Sequence, residues 1–145
     1  MDRHYPDRPF VGVGVVVLRG EEVLLIQRGK QPRRGQWSLP GGVQELGETV
    51  HEAGSREVME EAGVEIEIIG LVDVIDAIRR DGEGLIETHY TLVDLAALWR
   101  AGEARAGDDA MAVRWVPVAD VPGLGLWSET VRVIELAAEM AEARG

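Results

Sequence analysis

The segment REVMEEAGV, Arg56 to Val64, sets three carboxylates, Glu57, Glu60 and Glu61, within five residues of one another. On a helix these are i, i+3 and i+4 neighbours. Like charges at that spacing repel by a few tenths of a kcal/mol each (roughly 0.2–0.5), and by more where the surface is partly dry. Two uses offset the repulsion. The cluster is either a solvated acidic face or a site for a hard divalent cation such as Mg²⁺ or Mn²⁺, which takes oxygen ligands that carboxylates one turn apart can share. Residue type alone leaves both open.

The elements around the cluster narrow its placement. Thr49-Val50-His51-Glu52 has the form of a capping box, so a helix is predicted to begin near Thr49. Gly63 stands where a glycine ends a last turn. At 3.6 residues per turn the three glutamates share an arc of about 100°, and Val58, Met59 and Ala62 share another of similar width, which predicts a carboxylate face and an apolar face. Ala53 and Gly54 fall on the carboxylate side one turn earlier, an arrangement expected to leave open space beside the acids. Gly54 in mid-helix costs about 1 kcal/mol relative to alanine, so a reason for it is expected.

Upstream, FVGVGVVVLR (Phe10 to Arg19) and VLLIQR (Val23 to Arg28) read as strands of a hairpin turning at Gly20. The Gly12-x-Gly14 pair lies inside a strand and is followed by Val17 where a dinucleotide fingerprint needs glycine. A basic, turn-rich loop, GKQPRRGQ, then leads through WSLP to the doublet Gly41-Gly42. Downstream, VEIEIIGLVDVIDAI and LIETHYTLVDL read as a second hairpin around RRDGEG. Residues Ala97 to Asp109 form a mixed stretch of undecided state. AMAVRWVPV (Ala110 to Val118) reads as a strand, and Ser128 to Arg144 as an amphipathic helix. Strands interleaved with two helices imply an α/β chain with a mixed sheet and helices on its faces.

The chain has 145 residues, 46% of them hydrophobic, which suits one domain spanning 1–145. Its formal charge of −11 argues against gripping nucleic acid or an anionic membrane, since phosphate neutralisation needs excess Lys and Arg. A small anionic ligand is compatible if a cation bridges it. With no cysteine there is no disulfide, thiol nucleophile or thiolate zinc site. MDRHYPDRPF lacks the features of a signal or transit peptide, and no apolar run reaches membrane-spanning length, so a cytoplasmic location is expected.

Spacing separates the two uses of the glutamates. Gly42, five residues, Glu48, seven residues, then Arg56-Glu57-Val58-Met59-Glu60-Glu61-Ala62-Gly63-Val64 resembles at every defining position the box of the Nudix hydrolases, G-x5-E-x7-R-E-U-x-E-E-x-G-U with U aliphatic. The leading hairpin, GQWSLPGG and the terminal helix are similar to the same family. A calcium-binding or acidic interaction module would not require Arg56 or the bracketing Gly42 and Gly63.

The resemblance implies an α/β/α sandwich around a mixed β-sheet. It also implies a metal-dependent pyrophosphohydrolase in which water attacks one phosphorus of a nucleoside diphosphate linked to a group X. Glu57, Glu60 and Glu61 would hold Mg²⁺ or Mn²⁺, with a backbone carbonyl of Gly41 or Gly42 joining them. The metal would in turn hold the anionic diphosphate. Arg56 would orient Glu57 or Glu60, and Glu48 would support that network. Relatives differ in which acid serves as base; here Asp109, in AGDDAMAVRW, is favoured, with Asp108 and Glu103 behind it. Arg28, Arg33 and Arg34 are candidates for phosphate, and Trp37, Tyr90, Trp127 and His89 for the base or X. Each of these also has a plain structural reading.

The box leaves X open. Size, GQWSLPGGVQELGE and HYTLVDL resemble the short bacterial ADP-ribose pyrophosphatase group, while Arg79-Arg80-Asp81 stands where one subgroup carries proline. ADP-ribose or a related nucleotide sugar is therefore the first expectation. The alternatives are a nucleotide-sanitising (d)NTP pyrophosphatase acting on an oxidised dGTP-like substrate, and a non-catalytic nucleotide-metabolite sensor. A homodimer is compatible with the resemblance.

Overall fold

A computed structural model describes residues 3–31 and 33–144. The strands are β1 (Phe10–Arg19), β2 (Glu22–Arg28), β3 (Trp37–Ser38), β4 (Gly41–Val43), β5 (Glu65–Arg80), β6 (Ile86–Ala101) and β7 (Ala110–Pro117). The helices are α1 (Val50–Ala62) and α2 (Ser128–Ala143), and a 3-10 segment, Val118–Leu124, leads towards the second.

The strands form one mixed sheet in the order β3-β2-β1-β6-β5, with β4 also pairing β1 and β7 also pairing β2. The β1–β6 pairing is parallel, Phe10 to Leu18 against Tyr90 to Leu98, whereas the hairpins and branch strands are antiparallel. β1 explains the two layers. Its β-branched residues alternate, so Val13, Val15 and Val17 point to one face and Val16 and Leu18 to the other. Ala53, Val58 and Ala62 of α1 cover the first face; Val133, Ile134 and Ala137 of α2 cover the second. The result is the expected α/β/α arrangement.

Several sequence expectations hold locally. Thr49 accepts from the Glu52 N–H at 3.0 Å while the Glu52 carboxylate accepts from the Thr49 N–H at 2.9 Å. Gly63 closes α1 at φ 71°, a left-handed conformation open to glycine. The undecided stretch resolves into the end of β6, which runs to Ala101, and a loop over 102–109.

Three expectations are corrected. Ala53 and Gly54 do not border open space: both are buried, and a Cβ on Gly54 would lie 3.0 Å from Val15 Cγ2 and 3.3 Å from Leu95 Cδ1. Gly54 lets α1 approach the sheet closely. Met59, assigned to the apolar face, is 45% exposed. Since Ala53, Gly54, Val58 and Ala62 define the inward arc, Glu57 and Glu61 project within that arc rather than on an opposite face.

Candidate active site

The inward glutamates are accommodated where the neighbouring strand has no side chains. β4 begins with Gly41-Gly42, paired to Gly14 and Val13 of β1. A Cβ on Gly42 would overlap the Glu57 carboxylate, so any larger residue there would displace it. The Gly41 N–H donates to Glu61 Oε1 at 2.7 Å. This contact uses the amide of Gly41, while the sequence reading assigned the glycines a metal-binding carbonyl.

Burial sets the titration of both acids. Glu61 is pushed up to about 7, first by burial and then by the nearby Glu57 and Asp109 carboxylates, against the Gly41 N–H and the Arg28 charge. Burial also raises Glu57, and Arg56 pulls it back. Glu60 lies on the exposed side. Among the described residues no three acidic or histidine side chains converge into a ready cation cage. Arg56 holds Glu57 and Glu60, while Gly41 holds Glu61.

Arg56 organises the acids. Its Nε donates to Glu48 Oε2 at 2.7 Å and its Nη2 to Glu48 Oε1 at 3.0 Å, a two-point pairing. Nη1 donates to Glu57 Oε1 at 2.9 Å and to Glu60 Oε2 at 3.3 Å, and Nη2 also reaches the Val43 carbonyl at 3.3 Å. Arg56 therefore ties the loop before α1, the strand end and two acids together. The Arg56 pairing holds Glu48 below its ordinary titration.

The loop 102–109 closes the far end. The Arg105 N–H donates to the Ala62 carbonyl and the Gly107 N–H to the Glu61 carbonyl, both at 3.0 Å, so the loop satisfies end groups of α1. It carries Asp109 to the site, where that carboxylate acts on Glu61. Lys30, absent from the sequence reading, pairs with Asp109 at 2.9 Å, and the Asp109 carbonyl accepts the Gly29 N–H. The Gly29-Lys30 dipeptide in a basic loop was the available signal.

The remaining candidates separate. Arg28 faces the acids. Arg33 and Arg34 stand exposed in the loop after β2, with Arg34 Nε on the Gly29 carbonyl at 3.2 Å. Trp37 packs against the α2-side core with the Arg114 guanidinium 5.5 Å from its ring centre, which gives it a structural role. His89 and Tyr90 are consecutive on β6 and so point to opposite faces. Tyr90 sits by Phe10, four residues along β1 from Gly14 and about 13 Å from the level of the glutamates. Trp127 is 47% exposed just before α2.

Comparison with known proteins agrees with this architecture. The NUDIX domain family matches residues 8–136. The chain belongs to the Nudix family, whose enzymes are hydrolases of nucleoside diphosphate derivatives. It is 33% identical over 123 residues to an ADP-ribose pyrophosphatase of Methanocaldococcus jannaschii, covering 85% of this chain and 70% of the relative. It is 31% identical over 130 residues to an 8-oxo-dGDP phosphatase of Homo sapiens, covering 90% of this chain but only 39% of that longer protein. A MutT NUDIX hydrolase structure from Burkholderia pseudomallei superposes with a TM-score of 0.72 at 33% identity, covering 90% and 98% of the two chains. The NUDIX domain of Shewanella oneidensis NrtR, complexed with ADP ribose, superposes at 0.73 with 25% identity, covering 94% and 90%.

Proposed function

We propose that this chain is a metal-dependent pyrophosphohydrolase that cleaves a nucleoside diphosphate linked to X, with ADP-ribose or a related nucleotide sugar as the first substrate class. The observation that carries the reading is the pair Glu57 and Glu61, turned inward onto Gly41-Gly42 with raised titration. Partly desolvated carboxylates facing one another favour a cation between them, and their hard oxygens suit Mg²⁺ or Mn²⁺.

Glu57, Glu60 and Glu61 would hold the metal, which when bound polarises the phosphoryl oxygens and activates water. Arg56 and Glu48 fix the directions of Glu57 and Glu60. Arg28 faces the same acids and suits a phosphate oxygen. Asp109 accepts the proton of the attacking water, and Lys30, already beside it, holds that carboxylate in place. The ADP-ribose assignment is supported by the archaeal relative's name and by the ligand of the Shewanella domain. A (d)NTP or oxidised-nucleotide substrate is the second reading, supported by the human relative's name.

The test is product-resolved hydrolysis with Mg²⁺ and with Mn²⁺ on ADP-ribose, other nucleotide sugars and normal and oxidised (d)NTPs. AMP plus ribose 5-phosphate from ADP-ribose is the expected result. Pyrophosphate from a triphosphate, with ADP-ribose intact, would instead select the second reading. Metal binding without hydrolysis of any member would overturn both in favour of a sensor.

A further inference from the structure

Of the 15 lysine and arginine residues in the sequence, Lys30 alone is a lysine. The carboxylates of Glu48, Glu67, Asp73 and Glu87 all meet guanidinium groups. Asp109 instead meets the one ammonium, Lys30 Nζ to Asp109 Oδ1 at 2.9 Å. Both side chains are largely exposed, 70% and 58%, and an ion pair so open to water adds little to stability. A guanidinium would hold a carboxylate as well or better, because its fork pairs at two points. What an ammonium can do and a guanidinium cannot is give up its proton, since arginine stays charged throughout the working range of pH.

The backbone brings that proton to the site. The Gly29 N–H donates to the Asp109 carbonyl at 2.6 Å. A Cβ on Gly29 would lie 2.6 Å from that same oxygen and 3.2 Å from Met111 Cγ, so a side chain at position 29 would push the Asp109 loop away. Residues 29 and 30 therefore hold Asp109 at two points, one through the backbone and one through the ammonium. Asp109 and Arg28, two residues before Lys30, both act on Glu61. An ammonium has three donors and Asp109 takes one, which leaves two for an oxygen of the substrate.

We propose that Lys30 is the general acid of the hydrolysis, donating a proton to the oxygen that leaves phosphorus, in a relay with Asp109. The inference rests on the pyrophosphohydrolase reading with Asp109 as base, and it adds where the proton goes. Water attacks one phosphorus and the bridging P–O bond breaks, its electron pair staying on the departing oxygen. Asp109 takes a proton from the water, and the Lys30 ammonium gives one to the departing oxygen. The Asp109 carboxyl then returns its proton to the Lys30 amine across their 2.9 Å contact. The hydroxyl of the water ends on one phosphate and its proton on the other, and both side chains regain their starting charges.

The experiment measures kcat and KM for ADP-ribose with Mg²⁺, or for a (d)NTP should the wild type cleave that instead. The proteins are the wild type, Lys30→Arg, Lys30→Ala, Asp109→Asn and the double variant Lys30→Arg with Asp109→Asn, each with its thermal melt, which the exposure of both side chains predicts to be unchanged. Lys30→Arg is expected to keep KM within about threefold and to lose about 100-fold or more in kcat. A lysine that merely positioned Asp109 would be replaced by the guanidinium. Added methylammonium should raise the turnover of Lys30→Ala by about tenfold or more, and guanidinium at the same concentration should not. The double variant should be no slower than its slower parent, since a relay broken at one member is already broken. Turnover of Lys30→Arg close to the wild type, equal rescue by the two cations, or losses that multiply in the double variant would overturn the relay alone. A wild type that cleaves neither substrate would overturn the pyrophosphohydrolase reading and the relay with it.

Discussion

Arg56 and Glu48, eight residues apart, meet through two parallel hydrogen bonds of 2.7 and 3.0 Å. Glu48 sits before α1 and Arg56 inside it, so the pairing fixes the helix against the loop descending from β4. The same guanidinium directs Glu57 and Glu60. Arg56→Lys keeps the charge and loses the fork. Turnover is expected to fall about 10–100-fold, as for other positioning partners of metal-binding acids. Steady-state kinetics against Mg²⁺ concentration checks this, and an unchanged metal dependence would remove Arg56 from the positioning role.

Glu61→Gln should stay folded and lose at least about 100-fold in turnover. The pH effect has a definite sign. Because burial raises Glu61 from 4.5 to about 7, its contribution to stability is fully present below pH 4.5 and is lost as pH rises to about 7. Metal-free Glu61→Gln should therefore lack that decline. Thermal melts from pH 4 to 8 test it, and parallel curves for the two proteins would count against the inward, desolvated carboxylate.

Metal should reverse the same repulsion. At 100-fold over its dissociation constant, Mg²⁺ or Mn²⁺ is expected to stabilise the wild type by about 2.7 kcal/mol, a rise of several degrees in Tm. Glu57→Gln and Glu61→Gln should each shrink that rise. Equal shifts in all three proteins would place the cation elsewhere.

Gly107 links the Asp109 loop to α1. A Cβ there would overlap the Glu60 carbonyl, so Gly107→Ala must move the loop away from the helix end. We expect turnover to drop tenfold or more, against little change for Gly82→Ala, which meets nothing within 4 Å. Comparable activity in the two variants would show that the loop's docking does not matter to the chemistry.

Asp94→Asn should raise stability at pH 7. The shift from 3.8 to about 6 corresponds to about 3 kcal/mol of cost for the ionised carboxylate. That cost is absent below pH 4 and grows as pH rises to about 6, so the advantage of the variant should appear across that window. Denaturant unfolding at pH 4 and pH 7 decides it; a variant less stable at pH 7 would mean that Asp94 holds the fold together.

Local chemistry was legible in the chain because its causes are local. The capping box at Thr49, the closing Gly63 and the β1–β2 hairpin turning at Gly20 act within a few residues, and each appears in the structure where the sequence places it. The box spacing likewise picked out Glu48, Arg56, Glu57 and Glu60, which one guanidinium joins, while Glu61 is held apart by the Gly41 amide. What periodicity divided wrongly was the helix surface. It separated an acidic face from an apolar one, whereas α1 turns Glu57 and Glu61 inward between Gly54, Val58 and Ala62. Only the sheet decided that, because the side-chain-free Gly41-Gly42 segment of β4 offers room for the Glu57 carboxylate and an amide for Glu61. Lys30 meets Asp109 across 79 positions of sequence, and Asp94 leans over Gly14 across 80. Contacts between such distant residues depend on strand order and register, which no short window of sequence contains.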